Sequence, residues 1–250
     1  MRRRLIWRPA ELVAATAETP SARTLRLRVP DWPGHLAGQH VDVRLTAEDG
    51  YTAQRSYSLA APADGDMIEL TVESVPDGEV SPYLTEVMEV GDQVEIRGPV
   101  GGWFVWRTES KPPVLLVGGG SGIVPLMAMI RARRQAGSRV PFRLVYSLRA
   151  PDRRYYADEL RSPDPGLDVS YLYTRSAPPA ARPAPPAASC WTTWPRAAGR
   201  PRSSPTATCA GRPGSWRRRP TCCSRSATPP SASEPNDSVP PEADLTSSPS

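Results

Sequence analysis

Isoleucine, leucine, valine, phenylalanine, methionine and tyrosine are all missing from residues 211–236. From Ser176 onward Val239 and Leu245 are the only aliphatic residues larger than alanine. A segment so poor in apolar side chains cannot bury enough surface to offset the entropy of ordering it. A packed core is therefore excluded there, and residues 176–250 read as a disordered Pro/Arg/Ser-rich tail. Cysteine is absent before Cys190. The four present (Cys190, Cys209, Cys222 and Cys223) all fall in the tail, at spacings that fit neither a zinc site nor a plant-type iron–sulfur loop. No metal is expected. Long apolar runs are lacking too. The opening MRRRLIWRPAEL has a charged start, but its apolar stretch stops at Arg8 and Pro9, too short for a signal peptide. No stretch would span a membrane, so the expectation is a cytoplasmic protein without a membrane partner.

The formal charge of +5 is equally uneven. Up to Thr174 there are 21 Lys and Arg against 22 Asp and Glu, and the remainder carries 10 against 4, so the whole excess arises in the tail. A basic, Pro-rich tail is compatible with RNA or a membrane surface, but the reading adopted is a solvated one with no nucleic-acid partner.

What is present lies in the first 175 residues. Up to about Arg97 the chain alternates apolar and polar residues in short runs: TLRLRV (Thr24 to Val29), HVDVRL (His40 to Leu45) and MIELTVE (Met67 to Glu73). Turn signals such as DWPG, EDG, ADGD and PDG separate them. Several short strands with short turns imply a closed antiparallel barrel, which leaves no exposed edge. Gly38, in AGQH, suits either a close backbone approach at a strand start or an ordinary turn.

Within this barrel lies QRSYSLA, residues 54–60. Arg55 and Tyr57 share one face of a strand, offering a guanidinium suited to bidentate phosphate binding and a flat ring for stacking. By itself the tetrapeptide R-x-Y-S also fits a surface arginine beside a half-buried tyrosine. Its neighbours matter. In DGEVSPYLTEVMEVGDQVEIRGPVGGWF, Asp77 to Phe104, Ser81 before Pro82 predicts a helix N-cap with proline at the first helical position. Such a helix start presents free N–H groups to an anion.

The order R-x-Y-S, then G-x-V-S before a short helix, then G-D-x-V and G-P-x-G, resembles the ferredoxin–NADP⁺ reductase family of flavoproteins. The resemblance implies FAD as cofactor. It implies that Arg55 binds the diphosphate, that Tyr57 stacks on the isoalloxazine ring and that Ser58 hydrogen-bonds near flavin N5. It also assigns the phosphate-holding turn to Gly78, Val80 and Ser81. Tyr57 and Ser58 are thereby the candidate catalytic residues.

After a polar linker, Trp106 to Pro113, comes VLLV (Val114 to Val117), a short all-apolar run of the kind found in parallel sheets buried on both faces. GGGSG (Gly118 to Gly122) follows, then a helix from about Val124 to Gln135 with Pro125 in its first turn. Strand, glycine turn and helix start form a general diphosphate cradle. The spelling is G-x-G-x-x-P, which resembles the same reductase family and implies that Gly119, Gly120, Ser121, Gly122 and Pro125 face NAD(P), with Ser121 beside the nicotinamide. PFRLVYSLRAPDRRYYADEL then predicts a strand, a loop and a helix capped by Asp152, and LDVSYLYTR a third strand. The alternation implies right-handed crossovers and a parallel α/β sheet. Arg149 ends the second strand, and Thr174 with Arg175 ends the third, where ligands of open sheets bind. In NADP-using relatives such a pair grips the 2′-phosphate, which favours NADP over NAD; a solvated arginine at a strand end is the other reading.

The resulting organisation is an FAD-binding barrel over residues 1–105, an incomplete NAD(P)-binding α/β domain over 106–175 and the tail over 176–250. The family's nucleotide domain needs further strands, one ending in C-G-P, and the printed tail has none. Read one base earlier, however, the tail's codons force Leu across Cys190-Trp191, Asp across Trp191-Thr192, Ala across Trp194-Pro195 and Leu across Cys222-Cys223. Residues 205–216 then permit YxYVCGPTGFV. The expectation is that the chain leaves an ancestral reading frame between about Arg175 and Ala184, a genuine Pro-rich extension being the alternative. For function, the resemblance implies electrons passing from NAD(P)H through FAD to a separate redox protein, a ferredoxin or an oxygenase component. A catalytically inactive flavin- or nucleotide-binding module is the alternative.

Overall fold

Alternation in the first hundred residues produces six antiparallel strands: β1 (Trp7–Thr19), β2 (Ala22–Arg28), β3 (His40–Thr46), β4 (Thr52–Ser58), β5 (Met67–Glu73) and β6 (Gln93–Val100). They are seen in a computed structural model that describes residues 5–176 and 206–210. The chain divides into two units, Met1–Ser215 and Trp216–Ser250, and every described residue lies in the first. Strand order is β4-β3-β6-β1-β2-β5. The outermost strands meet where Leu59, just past β4, bridges Leu70 of β5, and Ala60 N–H donates to Glu69 O at 2.8 Å. This closes a barrel. Along Thr52–Ser58 itself, β4 pairs only with β3, so one side of that strand is left open.

The inward-facing positions of the alternating runs form one apolar core: Leu25, Leu27, Val41, Val43, Ile68, Leu70, Val72 and Ile96 are buried together. Burying each such side chain is worth about 1.5–3 kcal/mol. Two fastenings shape the loop before β3. The Trp32 indole N–H donates to His35 Nδ1 at 3.0 Å, and His35 Nε2 donates to Ala61 O at 2.8 Å. Because an indole can only donate, this pairing requires a neutral imidazole, and burial holds the His35 pKa below its ordinary value. Gly38 follows with φ +104, and a Cβ there would overlap the Phe104 carbonyl oxygen and lie 2.6 Å from Met129 Cε. The close approach is the reason for glycine at this position.

The second layer is a parallel sheet of β7 (Val114–Gly119), β8 (Phe142–Leu148) and β9 (Leu167–Tyr173), joined by β10 (Thr206–Ala210), in the order β10-β7-β8-β9. β10 falls within the stretch assigned above to the tail. Its five residues pair in parallel register with Val114–Gly118. The physical reason is an unfilled edge: β7 has β8 on one side only, and an apolar parallel strand without a second neighbour accepts another. The remaining tail assignments lie outside the described residues.

Helix α2 (Ile123–Gln135) packs over this sheet, buried on every side from Ile123 to Ile130, as a helix apolar all round should be. Gly118 has no room for a side chain, since a Cβ would lie 2.8 Å from Leu126 Cδ1. At the far end of α2, buried Arg133 binds Asp164 Oδ1 at 2.8 Å and the carbonyls of Val140 and Pro165. Burial alone would raise the Asp164 carboxyl, but hydrogen bonds from Arg134 and Arg133 outweigh it and hold the pKa below the usual carboxylate value.

Two predicted caps are not formed. Asp152 sits in a 3-10 turn, Pro151–Arg153, and the next helix, α3 (Ala157–Arg161), begins instead after Tyr156. Ser81 is inside α1 (Val80–Pro82), which is preceded by Glu79 and continues as a π-helical turn, Tyr83–Val87. The Ser81 hydroxyl is unavailable for capping because it accepts the Val75 N–H at 3.1 Å.

Candidate functional site

The open side of β4 faces a cleft of about 910 Å³ between the barrel and the start of α2. Arg55, Tyr57 and Ser58 enter it from β4, and Gly78, Val80 and Ser81 from the turn into α1. Ser121, Gly122 and Pro125 enter from the opposite wall. Two peptides separated by more than 60 residues of sequence thus converge, and the two barrel motifs touch directly. The Tyr57 hydroxyl hydrogen-bonds with Ser81, while burial, opposed by the Arg55 charge and by this bond, pushes its pKa up to about 12.

That shift predicts a titration. The neutral phenol stabilises the fold fully below about pH 10, and this contribution is lost as pH rises through about 12. Ultraviolet difference spectra should show one phenolate fewer above pH 11 in Tyr57→Phe than in the parent. Superimposable curves would mean that the ring is not buried as described.

The charges around the cleft are informative. Arg44 and Arg97 on neighbouring strands are committed to Glu95 and Asp42 at 2.6 and 2.8 Å. Arg55 forms no ion pair among the described residues; its Nη1 donates only to Gln54 O, at 2.7 Å. It is the one arginine or lysine among the cleft's described lining residues, facing Glu73, Asp77 and Glu79. An anionic group entering this cleft would meet this single guanidinium and the backbone N–H groups of the turn. Gly78 suits such a turn: a Cβ would lie 2.9 Å from Val75 O and 3.2 Å from Ser81 Oγ.

Of the residues expected at the nucleotide, Gly119 and Gly120 belong to the turn but do not line this cleft. Gly120 has φ +54 with open space where a side chain would be. Arg149, Thr174 and Arg175 lie together at the carboxyl ends of β8 and β9. There the N–H groups of Thr174 and Arg175 donate to Leu148 O and Arg149 O at 2.8 and 3.1 Å. The Thr174 hydroxyl also bonds Leu148 O, at 3.1 Å. Thr71, Glu73, His40 and Phe104 line the cleft without having been singled out. Thr71 left one sign in the sequence, a hydroxyl amid the apolar run of β5, where it is buried.

A barrel carrying R-x-Y-S and G-x-V-S on the wall of a cleft, with a glycine turn and helix start opposite, has the two-layer arrangement of a flavin and nicotinamide oxidoreductase fold. Residues 9–105 match the oxidoreductase FAD-binding domain family. The chain is 31% identical over 164 residues, 63% of its own length and 48% of the relative's, to a Ralstonia ferredoxin–NAD(P)⁺ reductase component of naphthalene 1,2-dioxygenase/salicylate 5-hydroxylase systems. Among solved structures it is similar to the ferredoxin reductase in carbazole 1,9a-dioxygenase, with a TM-score of 0.62 and 27% identity, over 73% of this chain and 55% of that one. The fold also matches a Neisseria gonorrhoeae ferredoxin NADP⁺ reductase solved with FAD and NADP, with a TM-score of 0.60 at 21% identity, over 69% of this chain and 70% of that one. The chain spans about half the length of the curated relatives it matches. Among the described residues no helix is long and apolar enough to cross a membrane.

Proposed function

We propose that the chain is a flavin-dependent electron-transfer module. It takes reducing equivalents from NAD(P)H and hands them to a separate redox protein, an oxygenase component or a ferredoxin. The observation that carries this reading is convergence: Arg55, Tyr57 and Ser58 share one cleft with Ser121, Gly122 and Pro125. The relatives named as reductase components of oxygenase systems support the choice of acceptor class.

Bound FAD would supply acceptance of an electron pair and its release as single electrons. The protein's part is placement. Arg55 offers the cation for the diphosphate, with the Gly78–Ser81 turn beside it. Tyr57, neutral at any physiological pH and braced through Ser81, presents a ring that cannot repel an electron-rich partner by charge. Ser58, on the same strand, would offer a hydroxyl to the bound ring system. Ser121 brings the opposite wall's hydroxyl toward a nicotinamide, and Thr174 with Arg175 would receive a 2′-phosphate.

A departure from the ancestral frame between about Arg175 and Ala184 is part of the proposal. The printed residues 206–210 form the strand that flanks β7 and run beside it up to Gly118. In the earlier frame those same codons permit an aromatic strand with Cys-Gly-Pro directly after it, at the glycine turn. This coincidence of place supports the frame reading.

One comparison tests both parts: the printed chain against one with the frame restored, each purified and titrated anaerobically with NADPH and with NADH. Both should be yellow, the printed chain bleaching slower by roughly a hundredfold, the cost expected for a misplaced donor. A colourless printed chain in excess FAD would sink the flavin assignment. Equal bleaching, or stop codons in the earlier frame of the gene, would sink the frame assignment.

A further inference from the structure

Tyr156 closes a ring of hydrogen bonds that joins the cleft wall to the second layer. Its hydroxyl donates to Thr71 Oγ1 at 2.6 Å, and its backbone N–H donates to Glu18 Oε2 at 2.8 Å. Thr24 donates to Glu18 Oε1 at 2.8 Å, and its Oγ1 lies 2.7 Å from Thr71 Oγ1. The bonds at the two ends leave one direction for the middle. Thr24 has already given its proton to Glu18, so Thr71 donates to Thr24 while accepting from Tyr156. The path leaves Tyr156 by its side chain, crosses β5, β2 and β1, and returns to the main chain of Tyr156. Each threonine hydroxyl in it donates once and accepts once, the Tyr156 hydroxyl donates, and each oxygen of Glu18 accepts once.

Three further observations mark this ring as built. Tyr156 and Thr71 are both buried, each only 4% exposed. Tyr156 has φ 54, a backbone conformation that favours glycine or asparagine over a bulky side chain. The Arg131 guanidinium lies 5.0 Å from the ring centroid of Tyr156, and the same arginine binds Ala60 O and Glu69 of the barrel and Glu159 of α3. Thr71 is itself a lining residue of the cleft.

We propose that Tyr156 is a positioning residue: its hydrogen-bond ring ties the start of α3 to the cleft wall at Thr71, so that filling the cleft also steadies the second layer. The identity of the occupant, FAD, rests on the function proposed above; the ring does not.

The test is amide hydrogen exchange on the full chain, with and without added FAD, for the parent, Tyr156→Phe, Thr71→Val and Thr71→Ser. In the parent, FAD should slow exchange at residues 78–81 and also at 157–161, which do not line the cleft. In Tyr156→Phe the slowing at 78–81 should persist, while 157–161 exchange about tenfold faster than in the parent and no longer respond to FAD. Thr71→Val should behave like Tyr156→Phe, and Thr71→Ser, which keeps the hydroxyl, like the parent. A tyrosine that merely fills space would be replaced by phenylalanine without effect, so parent-like exchange at 157–161 in Tyr156→Phe overturns the proposal. Absence of any FAD response at 78–81 in the parent would overturn the flavin assignment instead. The tenfold difference at 157–161 without FAD would then still decide for or against the ring.

Discussion

Arg55→Gln combined with Tyr57→Ala should leave the purified protein colourless. Arg55 is the only arginine or lysine among the cleft's described lining residues, and three carboxylates line the same space. Removing it takes away the positive charge that the described lining residues present to the cleft. A charge-assisted hydrogen bond is worth about 1.5–3 kcal/mol and ring stacking about 0.5–1.5 kcal/mol. Together they amount to about 3 kcal/mol, or roughly a hundredfold in the Kd for FAD. The measurement is flavin absorbance per mole of protein, followed by titration of the apoprotein with FAD. Because Arg55 is exposed, Arg55→Gln alone should move the melting temperature without FAD little, whereas loss of the Tyr57 ring, which packs against the barrel core, should lower it. Unchanged pigment would remove the basis of the assignment.

Gly38→Ala should be the most damaging single methyl group in the barrel. Its φ of +104 is closed to side chains, and the new Cβ would run into the Phe104 carbonyl, a backbone atom that cannot rotate away. The loop around it is pinned as well, by the Trp106 N–H to Ala37 O bond and by the Trp32–His35–Ala61 chain. Strain and overlap together should cost about 3 kcal/mol or more, lowering the Tm by roughly 10 °C. Gly34→Ala is the control: φ is +75 there too, but nothing lies within 4 Å of a Cβ. It should cost only about 1 kcal/mol. Equal losses in the two variants would show that backbone conformation alone, and not the contact with Phe104, sets the price at Gly38.

The parts of this architecture written in the sequence are those set by short-range chemistry. The period-two run MIELTVE is β5 to the residue, Met67–Glu73, because Ile68, Leu70 and Val72 needed the same buried face. The R-x-Y-S and G-x-V-S peptides face one cleft because strand alternation and a glycine turn fix their side chains locally. Capping was less legible. Ser81 and Asp152 carry the right side chains in the right local pattern, but the helix starts were decided elsewhere, by a hydrogen bond to Val75 and by the hold on Tyr156. The ring through Glu18, Thr24, Thr71 and Tyr156 could not be read at all. Its N–H to carboxylate bond spans 138 residues, and beyond the hydroxyl of Thr71 amid apolar neighbours nothing local marks these residues. β10 was hidden for a related reason: its five residues pair because β7 has a vacant side, not because of a strong pattern of their own.

The barrel is unlaced along the line where β4 would meet β5, its walls joined there near Leu59 and Leu70 but not along Thr52–Ser58. A flat, phosphate-tailed molecule seated along that line would act as the missing rung, so by mass action holding the ligand and keeping the cylinder shut would be a single equilibrium.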